Sequence, residues 1–136
     1  MRYTIWIALL ISLILLSGCE SEPPKIAFDE IDMSVADAGS GEKIFGQANG
    51  DAPSCVSCHS IGNDGGGKIG PSLAGIGDEA ASRVSGQSAE EYLYWSIVRP
   101  SKHLAGGYSN LMYARYEDDL QAADIADLIA YFLTLK

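Results

Sequence analysis

The chain has 136 residues and a formal net charge of −9 at pH 7. This length accommodates one domain and a targeting segment. The negative charge disfavours binding to nucleic acid or anionic lipid and favours partners with basic docking surfaces, although such a charge also serves solubility alone.

The N-terminus carries the features of an export signal. Arg2 precedes an apolar run at residues 5–16, which is too short for a bilayer span of about 20 residues. The run ends in Leu16-Ser17-Gly18-Cys19, which resembles the lipobox of bacterial lipoproteins. We therefore predict that residues 1–18 are a lipoprotein signal peptide. Cys19 then becomes the lipidated first residue of an exported, membrane-anchored protein facing the periplasm or the cell exterior. The alternative is an uncleaved anchor with an incidental cysteine.

Residues 19–38 have the composition of a tether. Pro23 and Pro24 stiffen its start, and small or acidic residues follow. The composition favours a flexible lipid-anchored segment, although four apolar side chains offer a way to dock on the domain or on a partner (Ile26, Phe28, Ile31 and Met33). The folded domain is predicted to comprise residues 39–136, with a short first helix at Glu42–Gln47.

The segment Cys55-Val56-Ser57-Cys58-His59 is the most informative part of the chain. The C-x-x-C-H pattern indicates one covalently attached c-type haem, with each thiol forming a thioether to a vinyl group. His59 follows directly and is placed to bind the iron as proximal ligand. The competing interpretations are a short disulfide, a zinc site and a thioredoxin-like redox pair. A zinc site lacks a second cysteine pair, and no βαβ pattern surrounds the motif.

The remaining elements indicate helices joined by long loops. Residues 62–77 contain eight glycines or prolines, which predicts an irregular loop. The sequence Ser88-Ala89-Glu90-Glu91 is a capping box that begins a helix, and Pro100 ends it. Residues 101–119 are predicted to form a second loop. The last helix is predicted from Ala122 to Leu135, where one apolar stripe recurs at helical spacing (Ile125, Leu128, Ile129 and Phe132).

An iron bound by His59 has a second face, and Met112 and His103 are the candidates to bind there. A thioether favours ferrous iron and raises the reduction potential, whereas an imidazole lowers it. Met112 lies just before the last helix, from where a loop can cross that face. Methionine also fills gaps in cores, so a packing role is the alternative. His103 is interpreted as a surface histidine.

Together these features resemble the class I cytochromes c, small monohaem electron carriers, over residues 39–136. The similar segments are Gly41-x-x-x-Phe45, Gly70-Pro71-x-Leu73-x-Gly75, Tyr92 through Pro100, Gly107-Tyr108 with Met112, and Leu120 through Tyr131. The resemblance implies an all-α cytochrome c fold, with about three to five helices and long loops wrapped around one covalent haem. It also implies axial ligation by His59 and Met112. The family usually has proline where this chain has Tyr113, and Ser or Thr where it has Gln121.

The resemblance implies a one-electron carrier rather than an enzyme. Its partners would be membrane redox complexes with basic docking surfaces, either as a shuttle between respiratory or photosynthetic complexes or as a cytochrome subunit of one. The alternative, if Met112 is labile, is a haem-based sensor or peroxidase-like enzyme, although no distal His or Arg constellation is evident. Five further residues are predicted to line the haem pocket, although residues like its aromatic members are more often core residues with a satisfied polar tip (Pro71, Leu73, Tyr92, Trp95 and Tyr108).

Overall fold

The computed structural model describes residues 22–62 and 69–136. Across these two ranges the chain forms five α-helices and no β-strand, which confirms the predicted all-α class. The helices are α1 (Ala38–Gly46), α2 (Ile76–Arg83), α3 (Ala89–Val98), α4 (Tyr116–Asp119) and α5 (Ala122–Thr134). Short 3₁₀ helices occur at Phe28–Glu30, Cys55–Ser57 and Pro100–Lys102. No helix in the described part is both long enough and apolar enough to cross a lipid bilayer.

The crossing of α1 and α5 organises the core. Gly41 lies at the crossing, where an added Cβ would be only 2.0 Å from the Asp127 carbonyl oxygen. One turn later, the Phe45 ring contacts Tyr131 and Phe132, with centroids 5.6 and 5.9 Å apart. The predicted apolar stripe of α5 is buried in this core. Glycine therefore permits close helix contact, and the aromatic side chains fill the space beside it.

Side-chain caps determine where α1 and α3 begin. The Asp37 carboxylate accepts a hydrogen bond from the Ser40 backbone N–H at 2.6 Å, so α1 begins four residues before the predicted start at Glu42. The Ser88 hydroxyl oxygen accepts from the Glu91 N–H at 3.1 Å, as the capping box predicts for α3.

Helix α2 is an element that the sequence patterns do not predict, because glycines obscure its start. Gly75 precedes it with φ of +76°, a conformation that favours glycine. Gly77 lies in its first turn, where a Cβ would be 2.5 Å from the Leu133 carbonyl oxygen. Glycine is a poor helix former but is needed here for the approach of α2 to the end of α5.

Residues 22–37, here called the N-terminal segment, pack on the domain and do not form the flexible tether predicted from composition. Ile31 is only 9% exposed. The Phe28 ring lies 5.3 Å from that of Tyr94 on α3, and the Tyr94 hydroxyl donates to the Ile26 carbonyl oxygen. Burial of these apolar groups stabilises the docked segment despite its prolines and acidic residues.

Polar contacts fasten the same segment to α4. The Lys25 ammonium pairs with Asp118, and its backbone N–H donates to Glu117 at 2.9 Å. Arg99 pairs with the largely buried Glu117 and donates to the Pro23 carbonyl oxygen at 3.3 Å. The segment is therefore held by hydrogen bonds and ion pairs as well as by apolar contact.

Candidate functional site

The C-x-x-C-H motif folds as a single tight turn. Cys55–Ser57 is a 3₁₀ helix, and the Cys55 carbonyl oxygen accepts from the N–H groups of both Cys58 (3.1 Å) and His59 (2.9 Å). This turn brings Cys55, Cys58 and His59 to the wall of one cavity. Both thiols are free and partly buried.

The His59 ring is oriented by two residues, Gly70 and Pro71, of the segment predicted as an irregular loop (residues 62–77). Its Nδ1 lies 2.8 Å from the Pro71 carbonyl oxygen. A carbonyl oxygen only accepts hydrogen bonds, so Nδ1 carries the proton and the Nε2 lone pair is available to a metal. A Cβ on Gly70 would be 2.6 Å from the ring, so glycine allows the backbone to press against the imidazole.

The cavity carries little charge. Its volume is about 140 Å³. Among the described residues that line it there is no Asp, Glu, Lys or Arg. A cofactor bound there would gain or lose an electron in surroundings of low dielectric constant.

Met112 lies on the wall of the same cavity as His59. It is partly buried against the core, in the loop between Pro100–Lys102 and α4. Within that loop Gly107 has a φ of +87°, and the Tyr108 N–H donates to the Ala105 carbonyl oxygen at 3.1 Å. The turn reverses the chain and returns it over the cavity to Met112.

Four of the five predicted pocket residues line the cavity (Pro71, Leu73, Tyr92 and Tyr108), and Trp95 does not. The Trp95 indole donates to the Glu91 carboxylate at 3.2 Å, and the Lys102 ammonium lies 3.2 Å from its ring centroid. Trp95 is held by these polar partners and by packing against the core, and it is not part of the cavity lining.

The interpretation of His103 as a surface histidine also has to be corrected. His103 lines the cavity. Its ring is stacked on Tyr92 with centroids 5.9 Å apart. Its Nε2 is buried and has no hydrogen-bond partner among the described residues. The single turn Pro100–Lys102 carries the chain back toward α3, which local sequence patterns do not reveal.

Several lining residues were not predicted (among them Ser96, Leu104, Leu111 and Tyr116). The signal for Ser96 was available, because it lies one helical turn after Tyr92 on the same face of α3. Leu104 and Leu111 are exposed by 53% and 69%, and they belong to the loop whose path depends on tertiary contacts.

Burial sets the chemistry of the thiol nearest the core. It raises the pKa of Cys55 to about 11, so the thiol is protonated at neutral pH in the folded chain. Burial also raises the pKa of the neighbouring Tyr116 hydroxyl, which donates to the Pro53 carbonyl oxygen at 3.1 Å. Cys55 is therefore a poor nucleophile in the folded chain.

The described residues fit a haem held through two thioethers. The two thiols and the oriented imidazole line one cavity, and the absence of a Cβ at Gly70 leaves room for the imidazole ring of His59. Met112 also lines this cavity and offers a thioether sulfur. The predicted lipidation residue, Cys19, lies outside the described residues.

The sequence model of one protein family, described as Cytochrome c, matches residues 38–136. No curated protein matches the chain.

Proposed function

The chain belongs to the cytochrome c family, and from this premise we propose that it is a class I, monohaem carrier of one electron. The family's haem-based electron transfer and all-α fold agree with the helices and the cavity described above. One observation carries the proposal. His59, with its ring oriented by the Pro71 carbonyl oxygen, and Met112 line the same cavity, and no described Asp, Glu, Lys or Arg lines it.

In the proposed site, Cys55 and Cys58 hold the haem and His59 binds its iron. The hydrogen bond from His59 Nδ1 to the Pro71 carbonyl oxygen fixes the tautomer that leaves Nε2 free. Leu73 and Tyr92 help to exclude water from the cavity. The haem supplies a reversible one-electron change at iron, and the protein supplies orientation and a low dielectric.

Met112 is proposed as the second axial ligand. Its thioether would favour the ferrous state, and an iron bound by both His59 and Met112 would have no open position for a substrate. The chain would then carry electrons and not catalyse a reaction of its own.

The test is Met112→Ala in the full-length protein. Carbon monoxide should bind readily to the reduced variant and hardly at all to the wild type, and the reduction potential should fall because the ligand that favours ferrous iron is gone. Met33→Ala is the matched control, because Met33 is partly buried in the N-terminal segment and does not line the cavity. Equal carbon monoxide binding by wild type and Met112→Ala would contradict ligation by Met112.

A second candidate function follows from His103. A buried imidazole without a partner on the cavity wall is the kind of group that a haem-based sensor or a peroxidase-like enzyme uses beside its iron. Rapid carbon monoxide binding by the reduced wild type, or turnover of hydrogen peroxide that His103→Ala abolishes, would favour this candidate over electron transfer.

The proposed location is the outer face of a membrane, with residues 1–18 removed, Cys19 lipidated and the domain exported. The net charge of −9 supports membrane redox complexes with basic docking surfaces as partners and argues against nucleic acid. Fatty-acid labelling of the wild type and of Cys19→Ser tests the anchor, and label retained by the variant would exclude it.

A further inference from the structure

Tyr113 occupies the position directly after Met112, where class I cytochromes c usually have proline. Its hydroxyl donates to the Asp119 Oδ2 carboxylate oxygen at 2.8 Å. Its ring packs edge-on against Tyr116, with centroids 5.1 Å apart and an interplanar angle of 78°. Arg115 donates a longer bond of 3.3 Å to the same hydroxyl. The side chain of Tyr113 is therefore held at both its ring and its polar end.

The second oxygen of the same carboxylate binds a different loop. Asp119 Oδ1 accepts a hydrogen bond from the Asp51 backbone N–H at 3.2 Å. Gly50 makes this approach possible, because it has a φ of +58° and a Cβ there would be 2.7 Å from that oxygen. One carboxylate thus joins the residue after Met112 to a turn that lies four residues before Cys55.

A second hydrogen bond joins the same two segments of the chain. The hydroxyl of the buried Tyr116 donates to the Pro53 carbonyl oxygen at 3.1 Å. The segment that carries Met112 is therefore tied at two points to the segment that leads into the C-x-x-C-H motif.

We propose that the hydrogen bond between Tyr113 and Asp119 positions the Met112 sulfur for the iron. Proline restrains a loop by fixing φ. Here a hydrogen bond to a carboxylate restrains it instead, and such bonds are stronger than those between neutral groups. Tyr113 and Asp119 are positioning residues that act through Met112. The inference rests on the proposed ligation by Met112 and adds to it the means by which the sulfur is held.

The experiment compares Tyr113→Phe, Asp119→Asn and the double variant with wild type, all as full-length haem-loaded proteins. Imidazole is titrated into the ferric proteins, where it competes with Met112 for the iron. Loss of the bond should tighten apparent imidazole binding by roughly tenfold and weaken the near-red absorption band of the iron–thioether bond. The reduction potential should also fall. Because Tyr113 and Asp119 share this bond, its loss should count once, and the effect of the double variant on imidazole affinity should be smaller than the sum of the two single effects.

Tyr131→Phe is the matched control, because it removes a phenol hydroxyl on α5 away from the cavity lining. It should leave imidazole affinity, the band and the potential unchanged. Tyr113→Phe keeps the ring that packs on Tyr116, and its covalent haem content and circular dichroism report whether the fold is retained.

The failures of the two proposals are distinguishable. If Met112→Ala leaves the near-red band unchanged, Met112 is not the ligand, and both the ligation and this inference are overturned. If Met112→Ala removes the band but Tyr113→Phe and Asp119→Asn match the wild type in imidazole affinity and potential, only this inference is overturned. If Tyr113→Phe lowers the thermal stability but leaves the imidazole affinity and the reduction potential unchanged, the bond has only a structural role, and this inference is overturned.

Discussion

Gly70 controls how closely the backbone approaches the imidazole of His59. An alanine there would place its Cβ 2.6 Å from the ring, a distance at which the histidine or the backbone must move. We expect Gly70→Ala to destabilise the haem-loaded protein by about 2 kcal/mol, as overpacking of a tight site usually does. Denaturant unfolding measures the loss, and the absorption spectrum reports displacement of the ring.

Gly106→Ala is the control for this prediction. No atom lies within 4 Å of a Cβ at Gly106, and its φ is not in the left-handed region. Its unfolding free energy should stay within about 0.5 kcal/mol of the wild type. Equal effects of the two substitutions would show that crowding of His59 is not the cause.

The residues expected to hold the haem could be proposed from local spacing alone, because the chemistry of Cys55, Cys58 and His59 depends on neighbours in the chain. Local spacing could not predict whether the side chains of Trp95 and His103 face the cavity. Trp95 faces Glu91 and Lys102 because of how α3 is rotated on the core, and His103 enters the cavity through a single non-periodic turn. Both depend on tertiary contacts that a one-dimensional pattern does not contain.

At the scale of elements, the crossing of α1 and α5 depends on Gly41. A Cβ there would lie 2.0 Å from a backbone carbonyl oxygen of α5, so Gly41→Ala should force the helices apart. We expect a loss of about 3 kcal/mol in the free energy of unfolding, near the upper end of the range for overpacked sites. Chemical denaturation with circular dichroism measures it.

Gly46→Ala, at the end of the same helix, should have the opposite or no effect. A Cβ at Gly46 meets nothing within 4 Å, and alanine is the better helix former by up to about 1 kcal/mol. Destabilisation of similar size at both positions would contradict the role assigned to the crossing.

The helices differ in how well the sequence predicted them. Helices α3 and α5 were predicted because a serine cap, a terminal proline and an apolar stripe leave clear local marks. Helix α2 was not predicted, because its first turn contains Gly77. Glycine is a poor helix former, but it permits the close contact with Leu133. Helix α1 was predicted too short, because its cap at Asp37 lies in a segment read as tether.

At the scale of the whole molecule, the N-terminal segment contributes to the stability of the domain. Ile31 is 9% exposed, and its truncation in Ile31→Ala should lower the free energy of unfolding by about 2–3 kcal/mol. Val35, four residues later, is 75% exposed, so Val35→Ala should change it by less than about 0.5 kcal/mol. Thermal or denaturant unfolding of the two variants measures the difference. If Ile31→Ala is as neutral as Val35→Ala, the segment is not part of the cooperative fold.

The docking of this segment could not be settled from sequence, because its apolar residues follow no helical or strand period. The surface that receives them is formed by α3 and α4, whose contacts with the segment span 68 positions for Ile26 and Tyr94 and 92 positions for Lys25 and Glu117. Long-range partners of this kind are invisible to arguments that compare a residue with its near neighbours.

The same separation has a consequence for the order of events while the chain is made. The Asp37 N–H donates to Asp127, 90 residues away, and Lys25 meets Glu117 across 92. An exported chain, like a newly synthesised one, emerges with its N-terminus first, so the first part of the fold cannot complete its contacts until the last part has emerged. During that interval Cys55, Cys58 and His59 have emerged while the helix that will pack beside them has not. Until α5 has folded, the cavity beside Cys55 and Cys58 lacks the wall that Leu128 and Phe132 form in the complete fold.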